Sequence, residues 1–295
     1  MAQISTPLRY PGGKSALTNF LRLVLRQNGL SGGHYVEPYC GGAGAAISLL
    51  RAEAVSQIHI NDADPAVHAF WRAVLHRADD LCAFVDTVPL SVKEWRLQRD
   101  RYNSANSRRW FERACAFFYL NRVNRSGILN GGLIGGLAQQ GTWLMDARFN
   151  RADLIERIKR IERRRDDISI SNLDALDFLK SGGKEWPEST LIYLDPPYFD
   201  KGQCLYRNAY VAKDHAAIAA HLRRMTRRRW LVSYDNVPEI RALYSGLKQQ
   251  VYSIDYTART RSIGSEVVIF GAALSCPKVV NPIRVQKREL FERAA

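Results

Sequence analysis

Apolar side chains recur at helical spacing along residues 16–27 (ALTNFLRLVLRQ), just after Gly12-Gly13. A strand-like run, 35–39 (YVEPY), leads into glycines and an Ala/Leu helix (CGGAGAAISLLRAE). Residues 55–60 (VSQIHI) then alternate as a strand and stop at Asn61-Asp62. Strand, glycine turn, helix, strand and acidic residue form a βαβ nucleotide-binding order. From 65 to 125 the pattern is helical, with Arg and Trp on the faces and no confident strand. Residues 127–141 (GILNGGLIGGLAQQG) hold six of the 20 glycines and read as a loop or irregular hairpin. A basic amphipathic helix follows at 153–165. Alternation then resumes: strands at 168–172, 190–198 and 230–236, helices at 215–229 and 238–247, and a closing strand pair at 250–259 and 265–272. The expected architecture is an α/β, Rossmann-like core formed by 1–72 and 166–295, with a mostly helical insertion at 73–165.

Composition narrows the class. With 46% hydrophobic residues over 295 positions, wholesale disorder is excluded. No apolar run approaches the roughly 18 residues of a membrane span, and the start, MAQISTPLRYPGGK, lacks a secretory apolar stretch. Cys40, Cys82, Cys115, Cys204 and Cys276 are scattered without a C-x-x-C pair. That points to a reducing compartment, expected to be the cytoplasm, and away from a disulfide framework or structural zinc. The charge, 43 − 29 = +14, asks for a polyanion or serves solubility alone.

Three segments carry chemistry. Asp195-Pro196-Pro197-Tyr198 ends a buried strand; the prolines remove two donors and stop it. What remains is a rigid turn with one carboxylate, acceptor carbonyls and an aromatic ring, where open α/β sheets place ligands. A carboxylate and a carbonyl there can accept both N–H bonds of an exocyclic amine, orient its lone pair and stabilise developing positive charge. Tyr198 can stack on a base that has left the duplex. In VEPYCGGAG (36–44), Gly41, Gly42 and Gly44 allow close approach of a ligand. Glu37 at the strand end would repel a pyrophosphate and suits a ligand bearing sulfonium and ammonium charge. Asp62, ending the next strand, is placed for ribose hydroxyls. Neither G-x-G-x-x-G nor a P-loop is present. Arg9-Tyr10-Pro11-Gly12-Gly13-Lys14 is a turn before a helix, able to meet a carboxylate with free N–H groups, Lys14 and the Tyr10 face.

Together these motifs resemble the Dam-like, D12-class DNA adenine-N6 methyltransferases, in the family's alpha order and over nearly the whole chain. RYPGGK (9–14), VEPYCGGAG (36–44), IND (60–62), FFYLNRVNRSGILNGG (117–132), WLMDARFN (143–150), DPPY (195–198), YDNVPEI (234–240) and SEVVIFG each have a counterpart. The resemblance implies S-adenosyl-L-methionine as cofactor, S-adenosyl-L-homocysteine as product and double-stranded DNA as partner. It places Tyr10, Pro11, Gly12, Gly13, Lys14, Glu37, Pro38, Gly41, Gly42, Gly44, Asp62, Asp174 and Asp195 around the cofactor. Asp195, Pro196 through its carbonyl, and Tyr198 would carry methyl transfer, with Pro197 shaping the turn. Direct displacement needs no covalent enzyme intermediate and no metal. The glycine-rich stretch 127–141 replaces the polar, aromatic hairpin of the best-known members, so no recognition sequence follows from the likeness.

Arginine is dense at 107–113, 157–165 and 223–230. Each run is either a solvated helix face with i,i+4 pairing or a phosphate-holding surface; position favours DNA for 107–165 and solvent for 223–230. Asn121, Arg122, Asn124, Arg125 and Ser126 are expected to contact phosphates or base edges, and Arg259 and Arg261 to meet phosphates. The other readings are a different acceptor (RNA adenine, cytosine N4 or protein glutamine), a catalytically silent DNA-binding protein, and a dinucleotide dehydrogenase. No membrane and no obligate protein partner are expected; a cognate restriction enzyme is the one protein association the family suggests.

Overall fold

The alternation closes into one seven-stranded sheet. The computed structural model describes residues 6–10, 14–104, 106–182, 185–199, 210–256, 262–286 and 288–292. Strands β1 (His34–Glu37), β2 (Gln57–Asn61), β3 (Ile168–Ser171), β4 (Thr190–Leu194) and β5 (Arg229–Asp235) are parallel. Strands β6 (Lys248–Tyr256) and β7 (Ser262–Phe270) form an antiparallel pair, with β7 also antiparallel to β5. The order is β3-β2-β1-β4-β5-β7-β6. The chain moves outward from β1 to β3, then returns to lay β4 on the other side of β1. Strand order therefore reverses between β1 and β4, opening a crevice beyond their carboxyl ends. β1 ends at Glu37, and β4 ends one residue before Asp195.

Two-residue alternation covers both faces of the sheet. Tyr35, Leu191, Tyr193 and Leu231 join one apolar cluster, with α1 (Thr18–Gln27), α2 (Gly44–Arg51) and α3 (Pro65–His76). Val36, Ile192, Leu194 and Val232 join the other, with α8 (Ala175–Gly182), α9 (Ala212–Arg224) and α10 (Pro238–Leu243). This is the Rossmann-like core expected from the sequence.

The long β2–β3 crossover carries the helical part: α3, α4 (Ala78–Thr87), α5 (Val92–Ser104), α6 (Trp110–Val123) and α7 (Arg151–Glu162). Asp64 caps α3 by accepting the Ala66 N–H at 2.8 Å, and Pro65 fits its first turn. α3 runs unbroken past residue 72, and α4–α7 share one apolar cluster with it. The last turns of α6, Ala114 to Val123, are buried on every side, with Phe118 stacked on Phe70 at 5.5 Å between ring centroids. Residues 127–141 are mostly turns, tied back to the end of α6 by the Ile134 N–H on the Val123 carbonyl and a β-bridge between Asn124 and Leu133. No helix among the described residues is long and apolar enough to cross a membrane.

Candidate active site

At the crevice between β1 and β4 the three sequence segments meet. Lys14 opens the turn before α1, and its buried ammonium pairs with Asp195 at 3.2 Å and with Glu266 at 3.1 Å. Burial pulls that ammonium down, but the two carboxylates outweigh it and hold Lys14 above its ordinary value. Asp195 also accepts the Ser233 hydroxyl at 3.0 Å, and Tyr193 bonds Ser233 in turn at 2.7 Å. Burial pushes Asp195 up to about 6, against the pull of Lys14 and with the help of Glu266.

Tyr198 reaches sideways. Its hydroxyl donates to Glu266 Oε1 at 2.7 Å, and Lys14 lies 5.4 Å from the ring centre. The ring is only 6% exposed. The structure therefore gives Tyr198 an anchoring contact in place of the open stacking face expected from the sequence, because a tyrosine on this turn points back at β7. Pro196 is buried, Pro197 half-buried, and the turn's exit is fixed by Phe199 N–H donating to Asp235 at 3.0 Å.

Glu37 is 5% exposed and accepts the Tyr35 hydroxyl at 2.8 Å. Burial pushes it up to about 8; the Tyr35 bond opposes this and the nearby Asp195 adds to it. Among the described residues it has no ion-pair partner. The glycine loop follows. Gly41 has φ +44°, and a Cβ there would lie 2.6 Å from the Tyr10 ring, so only glycine lets Tyr10 lie against the loop. Gly42 also faces Tyr10, while Gly44 starts α2 beside Ser15. Pro38 presents its carbonyl to Asn61 Nδ2 at 3.0 Å. Asp62 accepts the Gly41 and Asp64 N–H groups, each at 2.9 Å, and burial pushes it up to about 6. Asp174 is exposed, capping α8 through Leu176 N–H at 2.8 Å, and lies beside Tyr210. Pro11, Gly12, Gly13, Arg259 and Arg261 lie outside the described residues.

The expected DNA contacts divide. Asn121 is 1% exposed and brackets the Arg9 backbone, accepting its N–H at 2.8 Å and donating to its carbonyl at 2.6 Å. Asn124 is fully buried, accepts Trp95 Nε1–H at 2.8 Å and donates to the carbonyls of Ile128 and Leu129. Arg122 donates to the carbonyls of Arg148 and Pro7. These three side chains are therefore corrected from DNA contacts to internal hydrogen bonding: Asn121 and Arg122 satisfy backbone groups of Arg9 and Pro7, and Asn124 ties Trp95 to the turn at 128–129. Gly127 completes the bracket, since a Cβ there would meet the Arg9 carbonyl at 2.4 Å. Arg125 stays exposed and Ser126 half-exposed, in the left-handed region at φ 56°. Glu266, Ser233 and Tyr252 were not singled out in the sequence; the one signal was a glutamate inside the apolar strand SEVVIF.

The basic runs also differ. From Arg157 to Arg165 the cations pair with Asp153, Asp79, Glu156, Asp167 and Glu162. Arg9, Arg122 and Arg148 instead crowd one another. Burial, then Arg9 and Arg157, pulls Arg122 down to about 9, and burial and Arg148 pull Arg9 down.

The reversal of strand order, the glycine loop beside Glu37 and the D-P-P-Y turn define an S-adenosylmethionine-dependent methyltransferase. Residues 10–263 match the family described as D12 class N6 adenine-specific DNA methyltransferase. The chain belongs to that family. Among solved structures it is similar to the rRNA methyltransferase aviRa from Streptomyces viridochromogenes, at 16% identity and TM-score 0.40, covering 86% of this chain and 85% of that one. It is also similar to a putative RNA methyltransferase from Pyrococcus horikoshii, at 9% identity and TM-score 0.40, covering 90% and 86%. A search of curated proteins found no match.

Proposed function

We propose that this protein transfers a methyl group from S-adenosyl-L-methionine to N6 of an adenine turned out of double-stranded DNA. The observation that carries the reading is the Asp195 carboxylate, held by Lys14 and Ser233 at the mouth of the β1–β4 crevice on a turn that ends in acceptor carbonyls.

The residues at this edge fit the cofactor. Gly41 lets the Tyr10 ring lie against the loop at this edge, and Glu37 is a buried carboxylate lacking a cation among the described residues. Tyr10, Glu37, Asp62 and Asp174 would hold it, with Glu37 facing its positive charge. Bound there, it supplies an electrophilic methyl group on a sulfonium sulfur. Asp195 and the Pro196 carbonyl accept the two N–H bonds of the amine, aim its lone pair and stabilise the positive charge it gains. Having given up its methyl group, the cofactor would leave as a neutral thioether, and the surplus N–H proton of the methylated amine would pass to water beside the Asp195 carboxylate. Asp195 must be ionised to accept, so the rate falls as pH drops through about 6.

Adenine in DNA is favoured over the other acceptors by the D12-class family match. Arg148, exposed beside Arg9, is the guanidinium of this group that a phosphate would meet. The helical segment 73–165, with exposed Arg125 and Arg148 at its edge, is the proposed target-recognition part. Expression in a host free of DNA methylation, followed by sequencing that detects modified bases, tests this. N6-methyladenine in a fixed sequence context is expected; unmodified DNA overturns it.

A further inference from the structure

Glu266 sits at the centre of β7, fully buried, in a strand whose neighbours are Val267, Val268 and Ile269. A buried carboxylate is costly unless its oxygens are satisfied. Here they are. Oε1 takes the Tyr198 hydroxyl at 2.7 Å and the Lys14 ammonium at 3.1 Å, and Oε2 takes the Tyr252 hydroxyl. Three elements converge on one side chain: the turn before α1, the D-P-P-Y turn and β6. Two of these partners also face the reacting edge, since Lys14 pairs with Asp195 and Tyr198 belongs to the same turn as Asp195.

The geometry has two consequences. A tyrosine ring swings about two side-chain bonds, and a hydrogen bond at its far end removes that freedom. Tying the Tyr198 hydroxyl to Glu266 thus fixes the end of the catalytic turn from behind. Lys14, for its part, has one positive charge and two carboxylates within 3.2 Å. Without Glu266 the whole ammonium would fall to Asp195, and an oxygen engaged in a full ion pair is a poorer acceptor for the substrate amine.

We propose that Glu266 is a positioning residue for methyl transfer: it anchors Tyr198 and draws Lys14 partly away from Asp195, leaving Asp195 oriented and free to accept the amine. This rests on the methyl-transfer reading above and assigns the β7 carboxylate a role in it. The groups facing this cluster are Lys14, Asp195, Tyr198 and Tyr252 directly, Ser233 and Tyr193 behind Asp195, and Glu37 with Tyr35 across the crevice.

The test is Glu266→Gln, which preserves shape and an acceptor oxygen but removes the charge. With DNA and S-adenosylmethionine, kcat is expected to fall by about 10- to 100-fold, the range a misplaced catalytic group gives, while KM for the cofactor moves less than about threefold. The acid limb of the kcat profile should move to lower pH, because Glu266 no longer opposes ionisation of Asp195. An unchanged kcat, or a limb that stays in place, overturns the proposal. If the wild-type protein leaves DNA unmodified, the proposed function fails separately. The Glu266 claim is then judged by carboxyl-carbon NMR of Asp195, whose titration midpoint should drop in Glu266→Gln; no drop overturns it. Should that variant not fold, Tyr252→Phe removes only the hydroxyl on Oε2. A two- to tenfold loss of kcat, about 0.4–1.4 kcal/mol, supports the anchor, and none overturns it.

Discussion

Two regions of the molecule hold their charges in opposite ways. From α7 into the turn that follows, Arg157, Lys159, Arg160, Arg163, Arg164 and Arg165 each have a carboxylate beside them, mostly exposed and one helical turn away. At the carboxyl edge of the sheet, Glu37, Asp195 and Glu266 have, among the described residues, one ion-paired cation, Lys14, buried with them. The first arrangement is balanced and asks for nothing; exposed pairs of this kind contribute little to stability. The second is short of positive charge, and burial makes the shortage costly. A ligand carrying sulfonium and ammonium groups would relieve it. Where Arg9 and Arg148 press on one another the excess is of positive charge, and at the exposed Arg148 a phosphate would relieve it. Local imbalance thus separates ligand sites from solvated faces better than the number of charges does, and the excess of +14 is informative only where it is unpaired.

The largest effect that would break this comparison is at Asp195. Asp195→Asn is expected to lower methyl transfer by about 10³-fold or more, the scale of losing a preorganised electrostatic group, with cofactor affinity changed less than about tenfold; single-turnover rates and calorimetry check both. Next is Glu37→Gln, expected to weaken cofactor binding by about 10- to 100-fold, as befits a charge-assisted contact. The same variant tests the burial argument through pH. Glu37 has its folded value raised to about 8, so between the ordinary carboxylate range and pH 8 the folded state holds a proton that the unfolded chain has released. The protein without cofactor should therefore lose stability as pH rises through that window. Thermal unfolding should show the wild type falling relative to Glu37→Gln from pH 5 to 8; parallel curves would contradict it.

Smaller effects sharpen the contrast between bracket and surface. Asn121→Ala leaves the Arg9 N–H and carbonyl unpartnered and should cost about 1–3 kcal/mol in denaturant unfolding. Arg148→Ala is expected to weaken DNA binding and to reduce the dependence on salt by about one phosphate contact. Arg163→Ala, within the balanced run, should change neither DNA affinity nor, beyond about 0.5 kcal/mol, stability.

What was legible in the sequence follows from the same physics. Strand-ending motifs fall on one edge of a parallel sheet by construction, so Glu37, Asp62 and Asp195 were readable from their positions after apolar runs. Lys14 was readable only as a point charge near a turn. Its partner Glu266 lies 252 residues away, on a strand that reads as part of a closing hairpin. Only the fold, which pairs both edges of β7 and brings Lys14, Tyr198 and Tyr252 onto Glu266, makes that carboxylate internal. The polar run Asn121–Ser126 misled for a related reason. Asparagine and arginine suit base edges and phosphates, but they equally satisfy backbone that has no ladder, and the groups Asn121 and Arg122 serve, at Arg9 and Pro7, are more than 100 residues away.

The most direct measurement is mass spectrometry of nucleosides from duplex DNA incubated with the protein and methyl-labelled S-adenosylmethionine. The account predicts the label in N6-methyl-2′-deoxyadenosine alone, lost with Asp195→Asn. Label in N4-methylcytosine, or in no nucleoside while an RNA or protein acceptor takes it, would contradict it.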